Sequence, residues 1–175
     1  VELPGREWGP ASVPGGRGRS DVTSAPVPLP ADVVALLRGV RTVVVVGASD
    51  DRAKAAHRIP ARLVDLGYDV VPVNPRGGTV LGRTAHRTLG EAAAALTARG
   101  TTIDLVDVFR PARETPTVVA EAVAVGAPAV WLQSGITSAA ARALADAAGV
   151  RYVEDRCLGV DARVLAEADR AGGTP

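Results

Sequence analysis

Cysteine is almost missing from this 175-residue chain: Cys157 stands alone, which excludes an intrachain disulfide framework and a cysteine-rich metal site. A single thiol fits a reducing compartment, so a cytoplasmic protein is expected. Aromatic residues make up 3% of the chain, namely Trp8, Tyr68, Phe109, Trp131 and Tyr152. They offer little for stacking nucleic-acid bases, and a net charge of +1 supplies no field to attract a phosphate backbone. Nucleic acid is therefore not an expected partner. Long hydrophobic runs are missing too. No stretch approaches the roughly 18 apolar residues of a membrane span, and the N-terminal segment lacks the apolar centre of a secretory signal. Lysine is limited to Lys54, the other nineteen basic residues being arginine. A GC-rich genome produces that skew by itself, although arginine also suits bidentate phosphate contacts.

What is present is aliphatic. Hydrophobic residues are 47% and charged residues 22%, ordinary values for a globular domain, with Ala and Val supplying most of the apolar side chains. Residues 1–28 are rich in Pro, Gly, Ser and Arg without apolar periodicity, and a disordered tail is expected there. A single domain is expected over 29–170, followed by a flexible end at 171–175. Within the domain, apolar runs predict strands at 42–47, 69–74, 103–109, 129–133 and 151–155, alternating with helical patterns. Pro30 and Gly39 bracket a first helix, and a second places Pro60 in its first turn and stops at Gly67. Thr88 and Glu91 have capping-box spacing, Thr115 and Pro116 read as a cap and the first helical residue, and Gly149 closes a further helix. The stretch from Asp161 reads as the last helix. Strands apolar on both faces, each followed by a helix, point to a parallel sheet covered on both sides. The expected architecture is α/β: a Rossmann-like, doubly wound sheet of about five strands.

In such a sheet ligands bind beyond the carboxyl ends of the strands. The segments at those ends are Gly47-Ala48-Ser49, Asn74-Pro75-Arg76, Phe109-Arg110, Gln133-Ser134-Gly135 and Asp155-Arg156-Cys157. The first does not spell the dinucleotide fingerprint GxGxxG. Its setting between a strand and a helix still suits a diphosphate, with amides at the helix start, the Ser49 hydroxyl, and the cations Arg52 and Lys54. The second segment discriminates between nucleotides, because an NAD site places Asp or Glu here to hold the ribose hydroxyls. This chain has Asn74, Pro75 and Arg76 instead, and Asp69 sits at the amino end of the strand. A cation in that place favours a phosphorylated ribose, as in NADP or coenzyme A. A plain turn with a solvated Arg76 is the competing explanation. Phe109 either covers an adenine or fills the core, and Arg110 either reaches a phosphate or lies in water. Trp131 reads as core, while Gln133, Ser134 and Gly135 lie where a polar ligand edge would.

Catalytic patterns are sparse. His57 and His86 have no neighbours that make either a metal ligand, a triad member or a phosphorylated residue, and both read as surface or locally bonded histidines. Asp104 and Asp107 are at odd spacing on one strand and point to opposite faces, which rules out a carboxylate pair. Cys157 lies near the crevice, but a lone cysteine is more often a small buried hydrophobe than a reactive thiol. No catalytic residue and no metal ligand is assigned.

Taken together, "VVVVGAS", "GYDVVPVNPRGG" followed by "VLG", "DLVDVFRPARETPTVVAEAVAVGAPAVWLQSGI" and "VEDRCLGVDARVL" resemble the CoA-binding domain family. These are small stand-alone bacterial proteins similar to the first domain of the succinyl-CoA synthetase alpha subunit and of NDP-forming acyl-CoA ligases. The resemblance runs from residue 32 to residue 167. It implies Gly47, Ala48 and Ser49 around the diphosphate, and Asn74, Pro75 and Arg76 at the adenosine and its 3′-phosphate. It also implies Phe109 and Arg110 flanking the nucleotide, with Gln133, Ser134 and Gly135 on the crevice floor. Where the family usually has a small polar residue and an aromatic before the Arg that opens the helix, this chain has Ala56 and His57. The ligases also need a second domain with a phosphohistidine loop and a grasp subunit, for which the about 20 residues after the last predicted strand leave no room. The resemblance therefore implies a non-enzymatic CoA or acyl-CoA binding protein: a sensor, a carrier or a module that presents CoA to a protein partner. An NADP-dependent oxidoreductase and a separated subunit of an NDP-forming acyl-CoA ligase are the alternatives, the first equally served by Arg76.

Overall fold

The computed structural model describes residues 28–172. The tail expected at 1–28 lies outside the described residues except for its last member, as do residues 173–175 of the flexible end. Six helices and seven strands follow in the order α1 (Ala31–Gly39), β1 (Thr42–Val46), α2 (Ala55–Asp65), β2 (Asp69–Val73), β3 (Thr79–Val80), β4 (Arg83–Thr84), α3 (Leu89–Ala98), β5 (Leu105–Val108), α4 (Thr115–Ala124), β6 (Ala129–Leu132), α5 (Ala139–Ala147), β7 (Arg151–Val153) and α6 (Leu158–Gly172).

Five strands form one parallel sheet in the order β2-β1-β5-β6-β7, while β3 and β4 pair with each other as an antiparallel hairpin. Directly after the hairpin, His86 bridges Val73 in parallel. Its amide donates to the Pro72 carbonyl (2.9 Å) and its carbonyl accepts from the Asn74 amide (2.8 Å). With that bridge counted as a rudimentary strand beside β2, the sheet has the Rossmann strand order, which reverses between β1 and β5.

The four valines of β1 are explained by burial on both faces. Val43 and Val45 belong to the core with Leu105, Ala129 and Trp131 and with residues of α1, α2 and α6. Val44 and Val46 belong to the opposite core with Val106, Val108 and Val130 and with residues of α3, α4 and α5. Burying each such side chain contributes about 1.5–3 kcal/mol.

Helix starts differ from expectation in three places. α2 begins at Ala55, so Pro60 lies inside the helix and not in its first turn. A mid-helix proline has no N–H to give the carbonyl four residues back, and that carbonyl, on Ala56, accepts the Ser49 amide instead (3.1 Å). In α4 the cap position belongs to Glu114, because a 3₁₀ turn over Ala112–Glu114 runs directly into the helix. Thr115 then donates its hydroxyl back to the Ala112 carbonyl (2.8 Å) and caps nothing. α6 starts at Leu158, ahead of Asp161, and runs on to Gly172. The Thr88 cap is as expected, its hydroxyl accepting from the Glu91 amide (3.1 Å), while the Glu91 carboxylate takes the Arg87 amide (2.8 Å).

Candidate functional site

Where the strand order reverses, β1 and β5 end side by side, and the chain must leave both without filling the crevice. Gly47 makes this possible. Its φ is +88°, and a Cβ there would lie 2.7 Å from the Phe109 carbonyl oxygen and 3.0 Å from Arg110 Cδ, so that only glycine fits. The Gly47 and Ala48 amides both donate to the Val73 carbonyl at the end of β2 (3.0 and 3.1 Å), and the Ser49 amide is held by Ala56. The amides of the Gly47-Ala48-Ser49 turn are thus engaged inside the fold. At the start of α2, the amides of Ala55 and Ala56 have no acceptor among the described residues. The electropositive end of a helix is therefore turned to the groove a few residues later than the turn itself.

Asn74 staples the first two loops together. Its Nδ2 donates to the Ala48 carbonyl (2.9 Å) and its Oδ1 accepts from the Arg76 amide (2.9 Å), which fixes the turn that carries Arg76. Arg76 and Arg87 make no ion pair among the described residues. Arg110 is tied to Glu114, its Nε donating to Oε2 at 2.8 Å. Lys54 lies 3.7 Å from Asp51 in an exposed pair of the kind that contributes little. Arg52 is exposed and lines none of the cavities along the groove.

Four hollows with shared walls run along this end of the sheet. The central one, about 370 Å³, is lined by Gly47, Ala48, Ser49, Lys54, Asn74, Pro75, Arg76, Phe109 and Arg110. Phe109 and Arg110 also wall an adjoining cavity of about 490 Å³, with Ile59, Gln133, Ser134, Gly135 and Cys157. On the α3 and α4 side, about 280 Å³ opens between Pro75, Arg87, Thr88 and Arg110, and a last recess of about 390 Å³ takes in Asp50, Asn74 and Arg76. A larger hollow, about 560 Å³, lies away from these loops between α1, α6 and the turn before β2. It touches none of the strand ends where the fold gathers ligand-binding groups.

Gln133 is 5% exposed and Asp107 is fully buried, and the Gln133 Nε2 donates to Asp107 Oδ1 at 2.7 Å. Burial pushes the Asp107 carboxyl up to about 7, against the opposing pull of the Gln133 amide. The other oxygens of the pair, Asp107 Oδ2 and Gln133 Oε1, have no hydrogen-bond partner among the described residues. Ser134 and Gly135 form the exposed rim, where the Gly135 amide donates to Asp155 Oδ1 (2.7 Å). Trp131 is buried, with its indole N–H donating to the Arg156 carbonyl (2.7 Å), a core residue as expected. His57 is locally bonded, Nδ1 lying 2.9 Å from the Ser49 carbonyl. Asp104 accepts from the Arg41 and Thr42 amides (2.8 Å each) at the entry to β1, at the far end of the strands. Among the described residues no three His, Cys, Asp or Glu side chains come together as a metal site, and no helix is long and apolar enough to cross a membrane.

The model of the CoA binding domain family matches residues 41–163, a stretch that holds every strand of the sheet. The chain belongs to the CoA binding domain family. YneT of Bacillus subtilis (strain 168), an uncharacterized protein, is 30% identical over 133 residues, which is 76% of this chain and 93% of YneT. The structure of cell-free ID.343 from Thermus thermophilus superposes with a TM-score of 0.67 at 34% identity, covering 77% of this chain and 96% of that one. A hypothetical protein from Pyrococcus horikoshii OT3 gives 0.69 at 31% identity, with 77% and 90% covered.

In this CoA binding domain, folding brings together groups that no motif announces. Arg87 precedes the Thr88 cap and reads as a mere approach to α3, yet the hairpin and the His86 bridge set it in a cavity with Pro75 and Arg110. Ala55 and Ala56 have no reactive side chain and matter only through their amides. Asp107 looks from the sequence like a stray acid on a strand, and its partner Gln133 lies just past the carboxyl end of the next one.

Proposed function

We propose that this CoA binding domain protein is a non-enzymatic binder of CoA or acyl-CoA, serving as a sensor, a carrier or a module that presents CoA to a protein partner. The observation that carries the proposal is the carboxyl end of β2. There Arg76 and Arg87, which line adjoining cavities with Pro75 and make no ion pair among the described residues, offer positive charge where an NAD binder carries a carboxylate. A 3′-phosphate suits them. The rest of the groove fits the same ligand in order along its length: a diphosphate at the α2 amides and Lys54, adenosine between Pro75 and Phe109, and the pantetheine arm in the cavity of Ile59, Gln133 and Cys157. Gly47, whose missing side chain keeps β1 and β5 close, leaves the crossing open.

The test compares CoA with dephospho-CoA. Arg76→Glu is expected to weaken CoA by the larger factor, and equal losses for both ligands would count against the pose.

NADP is the second reading, since Arg76 suits a 2′-phosphate equally well. The cavity beyond Phe109 argues for CoA, because Ile59, Ile136, Pro111 and Cys157 offer apolar contact to a flexible arm. Absorbance-coupled turnover with a carbonyl substrate would restore the oxidoreductase. Acyl-CoA synthetase activity on reconstitution with partner chains would favour a separated ligase subunit.

A further inference from the structure

The wall of the apolar cavity contains a buried pair that simple ligand contact leaves unexplained. Asp107 is in register with Trp131 on the neighbouring strand, and Gln133 follows Trp131 by two residues, so both side chains lie on the sheet face covered by α2 and α6. Among the described residues no cation balances an Asp107 charge: its proton affinity is raised by burial, opposed by the Gln133 side chain and the Val108 backbone amide.

An ionised Asp107 leaves two buried acceptors, its own Oδ2 and Gln133 Oε1, with no hydrogen for either, an expensive arrangement in a dry interior. One proton resolves both. A carboxylic acid facing a primary amide makes two complementary bonds, amide N–H to acid oxygen and acid O–H to amide oxygen. The first is present at 2.7 Å, and the two orphaned oxygens are the pair that the second requires.

We propose that Asp107 is a positioning residue, a neutral carboxylic acid whose proton completes a two-bond pair with Gln133 and fixes that amide in the wall of the CoA groove. The role rests on the CoA reading; the acid–amide pair itself does not. Fixed in this way, Gln133, whose Oε1 is buried, keeps the second N–H of its amide for a carbonyl of a pantetheine arm in the cavity it lines. Loss of the proton holds Gln133 by one bond and sets acceptor against acceptor, so the groove binds more weakly as the pH rises past neutrality.

The elements around this face carry ionisable groups of their own: Lys54 and His57 at the start of α2, Arg110 and Glu114 after β5, and Arg156, Cys157 and Asp161 at the start of α6. Arg110 is paired with Glu114 and Arg156 with Asp161. An Asp107 variant separates the contribution of Asp107 from theirs.

Two measurements test the proposal on the full chain. In ligand-free protein labelled with ¹³C at its aspartate carboxyls, the Asp107 signal, identified by its loss in Asp107→Asn, is expected to titrate near neutrality. A midpoint in the ordinary aspartate range overturns the neutral pair. Calorimetric titration with CoA at fixed salt is then expected to show wild-type affinity falling about tenfold between pH 6 and pH 8, the fraction of protein still protonated setting the apparent affinity. Asp107→Asn, whose side-chain amide replaces the acid O–H as donor, is expected to keep the affinity seen at pH 6 and to lack that fall, retaining only the pH response of the other groups and of the CoA phosphate. Gln133→Met is expected to bind weakly and without that fall. The same tenfold fall surviving in both variants overturns the role. CoA failing to bind wild type while Asp107 titrates near neutrality overturns the CoA reading, and this role with it, but leaves the pair standing.

Discussion

Asp107 makes the stability of the fold depend on pH in a direction opposite to that of most carboxylates. Its carboxyl is raised from 3.8 to about 7 by complete burial, whereas in the unfolded chain it has the ordinary value. Between these two values the folded state holds a proton that the unfolded state has lost, so folding is favoured most below the unfolded pKa. The advantage drains away as pH rises and is gone above the folded pKa. A displacement of about 3 units at 1.36 kcal/mol each corresponds to about 4 kcal/mol over the whole window. Of this, more than half falls between pH 5 and pH 8. With a urea slope of about 2 kcal/mol per molar, the unfolding midpoint of wild type is expected to drop by roughly 1 M across that range relative to Asp107→Asn. The variant keeps a neutral hydrogen-bonding group in place and has no proton to lose. Urea unfolding of both proteins at pH 5, 6, 7 and 8 checks this, the comparison cancelling every other titrating group. Parallel curves for the two proteins would refute the reasoning.

Three other outcomes are expected. Gly47→Ala places a Cβ at φ +88° within 2.7 Å of the Phe109 carbonyl, so it should lose about 1–3 kcal/mol in urea unfolding from backbone strain alone, and CoA binding with it; unchanged stability would contradict the close approach of β1 and β5. Thr88→Ala removes the hydroxyl that caps α3 and should lose about 1 kcal/mol in the same assay, whereas a loss below a few tenths would mean that the Glu91 contact suffices. Half-buried Cys157 lines the cavity expected to take the thiol end of CoA. With CoA disulfide as reagent, thiol–disulfide exchange should join one CoA to Cys157 and release the other as a free thiol. Intact-mass analysis showing no adduct, or the same adduct in Cys157→Ser, would sink that placement.

The fold was legible because β1 and β5 are buried on both faces, and such runs read as parallel strands without reference to distant contacts. The hairpin was not. Its turn holds Leu81 at φ +54° ahead of Gly82 at +71°, a left-handed pair normally announced by Asn or Asp at the first position. Pro60 misled for a related reason: proline in a helical pattern suggests a first turn, and only the Ser49 amide reaching Ala56 from another loop shows why it is tolerated in mid-helix. At the site, the strand ends could be named from the chain, and Gly47, Asn74, Arg76, Phe109, Arg110 and Gln133 do line adjoining cavities. Which of their polar groups are already spent could not be read in advance, because the Gly47 amide, Asn74 Nδ2 and Gln133 Nε2 donate to partners more than twenty residues away.

Isothermal titration of the protein with CoA, dephospho-CoA, NAD and NADP at one fixed salt concentration tests the proposed ligand most directly. A groove built for CoA binds CoA, binds dephospho-CoA less tightly, and leaves NAD unbound. Binding of NADP with no response to CoA would contradict it.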